Sequence, residues 1–208
     1  MKYGAGAAIK YIFLVLAAVI SVYPFIWVVV SSLKDNSEIF GNSFGPPSTI
    51  RWDNYMEAWK GASVGRSFIN SMLVSAAAVV ILAIIASMGS YALTRIIKSR
   101  TLSTYFLLGL MMPIHALLIP SVLIFKEIHL QDNLASLVIV YIAVNISFSM
   151  FIMSGFLQSI PKEIDEAARI DGCGKGRIFF SILLPLAKPG IATVATIAFL
   201  NCWNDLLL

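Results

Sequence analysis

The sequence predicts an all-α, polytopic integral membrane protein with five transmembrane helices and a helix–hinge–helix loop on the cytoplasmic side. The first observation is composition: 59% of the 208 residues are hydrophobic and 12% are charged, whereas a soluble domain has about 25% charged residues. The second is a set of five long runs without any charged residue. The third is a polar, glycine-rich stretch between the last two runs. Together these features exclude a soluble globular domain.

The charge-free runs define the predicted spans. They contain 23, 28, 25, 29 and 16 residues and cover 11–33, 67–94, 101–125, 133–161 and 189–204. Because about 20 apolar residues cross a bilayer as a helix, the first four runs suffice, and the fifth does so when continued to Leu208. We predict one transmembrane domain over 1–208, with an outside loop at 34–66 and a cytoplasmic loop at 158–186. Its spans are placed at about 11–33, 67–94, 101–125, 134–157 and 187–208.

The distribution of Lys and Arg predicts the orientation, because cytoplasmic loops carry an excess of these residues. A cytoplasmic N-terminus places ten of the 15 inside: Lys2, Lys10, Arg95, Lys98, Arg100, Lys162, Arg169, Lys175, Arg177 and Lys188. The remaining five then lie outside: Lys34, Arg51, Lys60, Arg66 and Lys126. The net charge of +4 therefore arises from the inside flanks and does not indicate a nucleic-acid partner.

The first span and the outside loop follow the N-terminus. The first apolar run is longer than the core of a signal peptide and lacks a small-residue cleavage site, so we expect it to be retained as a span. In the loop, Trp52, Tyr55, Met56 and Trp59 recur at helical spacing. This pattern predicts a helix lying on the membrane surface by its aromatic side. The alternative is contact with an external protein.

The third and fourth spans carry polar residues with two possible roles. His115 lies between two prolines of the third span, and it is interpreted as a packed or pore-side hydrogen-bonding residue because spans two to four offer no ionisable partner for a proton relay. Asn145, Ser147 and Ser149 lie near the middle of the fourth span. They either join helices by hydrogen bonds or line a pathway.

The fifth run contains the most polar patch of any apolar run. Asn201, Asn204 and Asp205 supply groups that hydrogen-bond hydroxyls, and Trp203 offers a ring that stacks on a sugar face. The alternative is an interfacial tryptophan beside a polar helix end. Because Asp205 is costly against lipid, we expect it to face a cavity or a partner.

The stretch 159–186 between the last two runs has a different character. Pro161 suits the first turn of a helix, and acidic residues follow where the helix dipole favours them. Gly172, with two more glycines close behind, is expected to end that helix. A second, apolar helix is predicted from Arg177 to Leu184, with Pro185 interrupting it. We therefore predict a short helix, a glycine hinge and a second helix.

This stretch resembles the "EAA loop" of the membrane subunits of ATP-binding-cassette importers. The family pattern is Glu-Ala-Ala, three residues, Gly, nine residues, Ile, one residue and Leu-Pro, and every spacing is kept here. The matching residues are Glu166, Ala167, Ala168, Gly172, Ile182, Leu184 and Pro185. A gapped match of this length is more specific than a lone glycine motif.

The resemblance implies a function and a set of partners. The family's short helix docks on a separate ATPase dimer, and a second permease subunit and an extracytoplasmic solute-binding protein complete the transporter. The sequence resembles the smaller permease subunit of maltose and multiple-sugar uptake systems. That likeness implies inward movement of a sugar by alternating access in the bacterial inner membrane. If the helix at residues 52–59 contacts an external protein instead of the membrane, that protein would be the solute-binding protein. Relatives of this kind have a sixth span, which this sequence is expected to lack.

Other functions are less well supported by the residues. An ion-coupled secondary transporter or channel is the alternative, but no acidic residue lies at mid-depth and no repeated broken helices are evident. No nucleophile–base pair or metal-ligand cluster predicts an enzyme, and no Walker-type loop predicts ATP binding by this chain. We therefore expect no cofactor and no metal. On the predicted topology Cys173 and Cys202 are too far apart for a disulfide.

Overall fold

Helices are the only regular elements in the parts of the chain that the structure describes, residues 5–97 and 99–206 of a computed structural model. The predicted all-α class is confirmed. Lys2 and Lys98 of the charge count, and residues 207–208 of the fifth predicted span, lie outside the described residues. The backbone groups into two compact units, Met1–Ser67 and Phe68–Leu208. The single domain over 1–208 stays a prediction.

The helices follow one another with short connections. In chain order they are α1 (Ala5–Ser32), α2 (Asn36–Gly41), α3 (Asp53–Gly61), α4 (Val64–Tyr91) with a π-helical turn (Ala92–Ile97), α5 (Arg100–Gly109), a 3₁₀ turn (Ile114–Leu117), α6 (Leu118–Glu127), α7 (Leu134–Ser159), α8 (Lys162–Ile170), α9 (Lys175–Arg177) with a π-helical segment (Ile178–Leu183), α10 (Leu184–Leu186) and α11 (Lys188–Trp203).

Three of these helical stretches are long and apolar enough to cross a membrane. They are Ile9–Ser32, Val64–Ile97 and Leu134–Ser159, with 24, 34 and 26 residues. Two further pairs of helices are each bent at a short break. If each pair counts as one span, the number of candidate spans rises to five. A multi-pass membrane protein is thus confirmed, and the count of five spans stays a prediction.

The third predicted span, 101–125, is not one straight helix. α5 ends at Gly109, and Arg100–Gly109 is bent by 93° against Ile114–Glu127. The break occurs at Pro113, which has no N–H to donate and disfavours helical geometry in the residue before it. Pro120, in contrast, lies in the first turn of α6, where the missing N–H costs nothing.

The last predicted span begins after a second bend. Lys175–Leu186 and Lys188–Trp203 are inclined by 73°, with Ala187 between them. The sequence predicts that Pro185 interrupts the apolar helix. Pro185 instead lies in the first turn of α10, and the chain turns two residues later. Pro189 then occupies the first turn of α11, a position that tolerates proline.

The first unit holds α1, α2 and α3. Its polar centre is Lys34, which is buried and donates from Nζ to the carbonyl oxygens of Asn42 at 2.8 Å and Ser43 at 3.3 Å. Asn54 fixes α3 by donating to the carbonyls of Ser32 and Lys34. The aromatic face predicted for this loop is exposed, with Trp52 and Trp59 more than half accessible. Its contact with a membrane or a protein stays a prediction.

The second unit packs α7 between α4, α5 and α11. Its main core joins the ends of α4 and α7 to the 158–186 loop, through Tyr91, Leu157, Ile178, Phe179 and Leu183. Close approach is possible because small residues line α4: Ala86 and Ser90 are fully buried, and the Ser90 hydroxyl donates to the Met150 carbonyl at 3.0 Å. The core therefore lies where the loop meets the spans.

Candidate functional site

The helix α8 has one buried face and one exposed face. Asp165 and Ala168, three residues apart, are buried. The opposite face carries Glu163, Glu166, Ala167 and Ile170, which share one side of the helix at spacings of three and four. Ile170 is 87% exposed, so its apolar side chain extends away from the protein. An acidic and apolar strip is therefore open for contact.

The end of α8 explains why a glycine is needed at 172. Gly172 has φ +80°, the left-handed conformation that residues with a Cβ avoid. The Gly172 N–H donates to the carbonyl of Arg169 at 3.0 Å, and the Cys173 N–H donates to that of Ala168 at 2.9 Å. These two bonds form a Schellman motif, which satisfies the last carbonyls of the helix. Gly172 thus ends α8 as predicted from the sequence.

The second half of the EAA pattern is part of the core. Ile182 and Leu184 are half-buried and pack against the main cluster, whereas Pro185 is exposed. Leu183, between them, is fully buried, and the pattern does not include it. The predicted coupling residues therefore do not form one surface: Glu166 and Ala167 face outward, and Ala168, Ile182 and Leu184 attach the loop to the spans.

A buried arginine connects α8 to two spans. Arg95, in the π-helical turn after α4, donates from Nη2 to the carbonyl oxygens of Leu157 at 2.7 Å and Ile160 at 2.6 Å. Its Nε lies 3.6 Å from Oδ2 of Asp165. The guanidinium thus satisfies carbonyls at the end of α7, where a cation also suits the helix dipole, and pairs with the first turn of α8. In the sequence Arg95 is recognisable only as one of the basic residues that flank a span.

Tyr91 holds the second half of the loop. Its ring stacks on Phe179 with 5.1 Å between ring centroids, and its hydroxyl donates to the carbonyl of Lys175 at 3.2 Å. The sequence does not reveal this role of Tyr91, because a tyrosine at the end of a span is also the usual interfacial residue. The end of α4 and the π-helical turn after it are therefore joined to both halves of the loop.

The polar residues of the fourth and fifth predicted spans form a second site. Asn145 is buried, accepts a hydrogen bond at Oδ1 from Nδ2 of Asn201 at 2.8 Å, and donates to the carbonyl of Tyr141 at 2.9 Å. The Tyr141 hydroxyl donates to Oδ2 of Asp205 at 3.2 Å. These groups line a cavity of about 410 Å³, together with Ile114, Val144, Leu200 and Asn204. The role of Tyr141 is not evident from the sequence, because its partner is 64 residues away.

Trp203 does not line this cavity. Its ring lies against Phe199, with centroids 5.6 Å apart, and meets the edge of Phe68 at 5.4 Å. The structure therefore joins Asn145, Asn201, Asn204 and Asp205 around one space. It places Trp203 in an aromatic cluster beside that space.

The comparison with known proteins decides the family. Residues 80–208 match the family described as "Binding-protein-dependent transport system inner membrane component". The chain belongs to this family. A diacetylchitobiose uptake system permease protein of Streptomyces coelicolor is 37% identical over 204 residues, which are 97% of this chain and 68% of that relative. A probable starch degradation products transport system permease protein of Thermoanaerobacterium thermosulfurigenes is 33% identical, covering 96% and 74%.

A solved structure has the same fold. It is a bacterial ABC transporter involved in the import of the acidic polysaccharide alginate, with a TM-score of 0.85 and 24% identity, covering 99% of this chain and 74% of that chain. The family match and the two relatives confirm the resemblance drawn from the EAA pattern. The chain is a permease, the multi-pass inner-membrane transport subunit of an ATP-binding-cassette system, and not an enzyme. Family membership favours this function over a secondary transporter or channel.

Proposed function

We propose that this permease moves a sugar or a similar polar solute inward by alternating access, driven by ATPase subunits that dock on α8. The names of the two relatives, which refer to diacetylchitobiose and to starch degradation products, support an oligosaccharide as the solute class. The proposed partners are an ATPase dimer, a second permease subunit and an extracytoplasmic solute-binding protein. The proposed orientation has the N-terminus and the 158–186 loop in the cytoplasm, where ATP is available.

The observation that carries the proposal is the two-faced character of α8. Its outer face presents carboxylates, a small alanine that permits close approach, and the apolar Ile170. Its inner face is held by Arg95, which also holds the end of α7. A partner that grips the outer face and moves it must therefore also move the ends of α4 and α7, or break a buried ion pair. Rigid attachment of this kind suits the transmission of a nucleotide-driven movement.

The polar cavity supports the location of the pathway. α7 carries Arg95's acceptors near its end and Asn145 near its middle, so displacement of α7 changes the position of Asn145 relative to Asn201 on α11. Amide and carboxylate groups around an otherwise apolar space suit a sugar's hydroxyls. We propose that Asn145, Asn201, Asn204 and Asp205 line the path, with Tyr141 orienting Asp205, and that Trp203 supports the wall by packing.

The experiment compares two charge reversals in the assembled transporter. Glu166→Lys changes the outer face of α8, and Glu127→Lys, at the end of α6, is the matched control because Glu127 is also exposed. The measurements are ATP-dependent uptake of a labelled oligosaccharide and co-purification of the ATPase. We expect Glu166→Lys to abolish both and Glu127→Lys to keep both. Normal ATP-coupled uptake by the Glu166 variant would show that α8 is not the coupling helix.

A further inference from the structure

A large cleft opens in the second unit on the side of α5 and α7. Its volume is about 1250 Å³, and it lies between α5, the second half of α7 and the π-helical turn after α4. At one end the two helices come close, because a side chain on Gly109 would collide with the Ser147 hydroxyl. From Ser147 to Ser159 the α7 wall is about 18 Å long at the rise of an α-helix. This is long enough for a lipid head group and the first part of an acyl chain.

The lining of the cleft changes character along its length. Near Ser147 it is apolar, with Phe106, Leu107, Met150 and Phe151. Near Ser159 it is polar and basic, with Arg95, Arg100 and Lys162 as its cations. No carboxylate occurs among the described residues that line it. The cleft thus has an apolar part within the span and a cationic part at the end of the span, where lipid head groups lie.

Two of the cations are available to a ligand. Arg95 is occupied by the α7 carbonyls and by Asp165. Arg100 and Lys162 are exposed, and neither makes an ion pair with any residue in the described ranges 5–97 and 99–206. Arg100 begins α5 and Lys162 begins α8, so two different helices each contribute one exposed cation to the lining of the cleft. Both charges attract an anion that enters the cleft.

We propose that this cleft binds an anionic phospholipid, with its phosphate between Arg100 and Lys162 and an acyl chain along Phe106, Leu107, Met150 and Phe151. The charges and the apolar wall match a molecule with a negative head and a hydrocarbon tail, because Lys and Arg near a membrane surface attract anionic lipids. The bilayer around the permease supplies such lipids. This inference does not depend on the proposed solute or on docking at α8.

The test uses the assembled transporter in detergent, incubated with equal amounts of phosphatidylglycerol and phosphatidylcholine, and native mass spectrometry to count retained lipids. We expect the natural sequence to retain phosphatidylglycerol preferentially. The double variant Arg100→Gln with Lys162→Gln should reduce that retention about tenfold or more, because two attractive charges are lost. The matched control is Lys175→Gln with Arg177→Gln, which removes two charges from residues that do not line the cleft. It should retain the lipid as before.

A second variant tests the cleft without changing any charge. A Cβ at Gly155 would meet nothing within 4 Å, so Gly155→Phe can fill the space without a clash with the backbone. We expect it to expel phosphatidylglycerol while the complex stays assembled. Equal retention of both lipids by the natural sequence, or unchanged retention in the Gly155 variant, would overturn the proposal. Displacement of the lipid by inorganic phosphate at low concentration would also overturn it, because the site would then bind the anion alone.

Discussion

Arg95 and Asp165 meet inside the protein, with 3.6 Å between Nε and Oδ2 and side chains that are only 4% and 6% exposed. The pair joins the π-helical turn after α4 to the first turn of α8, although two predicted spans, 101–125 and 134–157, lie between the two residues in the chain. Neither Arg95 Nε nor Asp165 Oδ1 has a hydrogen-bond partner in the part of the chain that the structure describes. Charge attraction, rather than a close hydrogen bond, therefore makes this contact.

Replacing Asp165 by Asn should destabilise the loop. The arginine would remain buried without a countercharge, and breaking such a pair costs about 3–5 kcal/mol. We expect a lower thermal unfolding midpoint in detergent and uptake that is reduced more than ATP hydrolysis. Asp171→Asn is the control, since Asp171 is an exposed acid next to the same helix. Equal effects of the two variants would contradict a specific role for the buried pair.

Gly172→Ala should cost about 1 kcal/mol, because alanine resists the left-handed conformation of the helix cap. The neighbouring Gly174 is the matched control: its φ is −70°, and a Cβ at either position would meet nothing within 4 Å. Gly174→Ala should therefore be neutral. Hydrogen exchange of the amides at the end of α8 measures the effect. Equal amide exchange rates in the two variants would show that Gly172 is not required for the helix cap.

Asn201→Leu should weaken the proposed pathway. The change removes the donor to Asn145, whose buried Oδ1 then lacks this hydrogen bond, and a hydrogen bond between membrane helices contributes about 0.6 kcal/mol on average. Stability should thus change little, whereas the KM for oligosaccharide uptake should rise severalfold. Thr196→Val on the exposed side of α11 is the control. A KM that is unchanged in both variants would place the solute elsewhere.

Two variants of Trp203 distinguish packing of its indole ring against other aromatic residues from contact between that ring and the solute. Aromatic pairs of this kind contribute about 0.5–1.5 kcal/mol each, so Trp203→Ala should lower stability by about 1–3 kcal/mol, and Trp203→Phe should preserve both stability and KM. Thermal unfolding and uptake kinetics measure the two effects. A raised KM in the stable Phe variant would instead support stacking of the indole on the sugar.

The EAA pattern shows what local sequence can predict. Gly172 and the helix before it follow from neighbours in the chain, since capping and dipole effects act within one turn. The same pattern could not indicate that Ala168 is buried and Ala167 exposed, because two adjacent alanines differ only in the direction each faces. Likewise, Trp203 and Asn201 are two residues apart, yet only Asn201 lines the cavity.

By itself the sequence determined that this chain is a helical membrane protein with a hinged loop of the importer type, because hydropathy, charge and glycine spacing act through adjacent residues. Only the tertiary structure decided the partners of the polar side chains: Arg95 with Asp165, Asn145 with Asn201, and Tyr141 with Asp205. These partners lie 56 residues or more apart. Their meeting depends on how whole helices pack, since a buried polar group must find a partner wherever the packed surfaces bring one within reach.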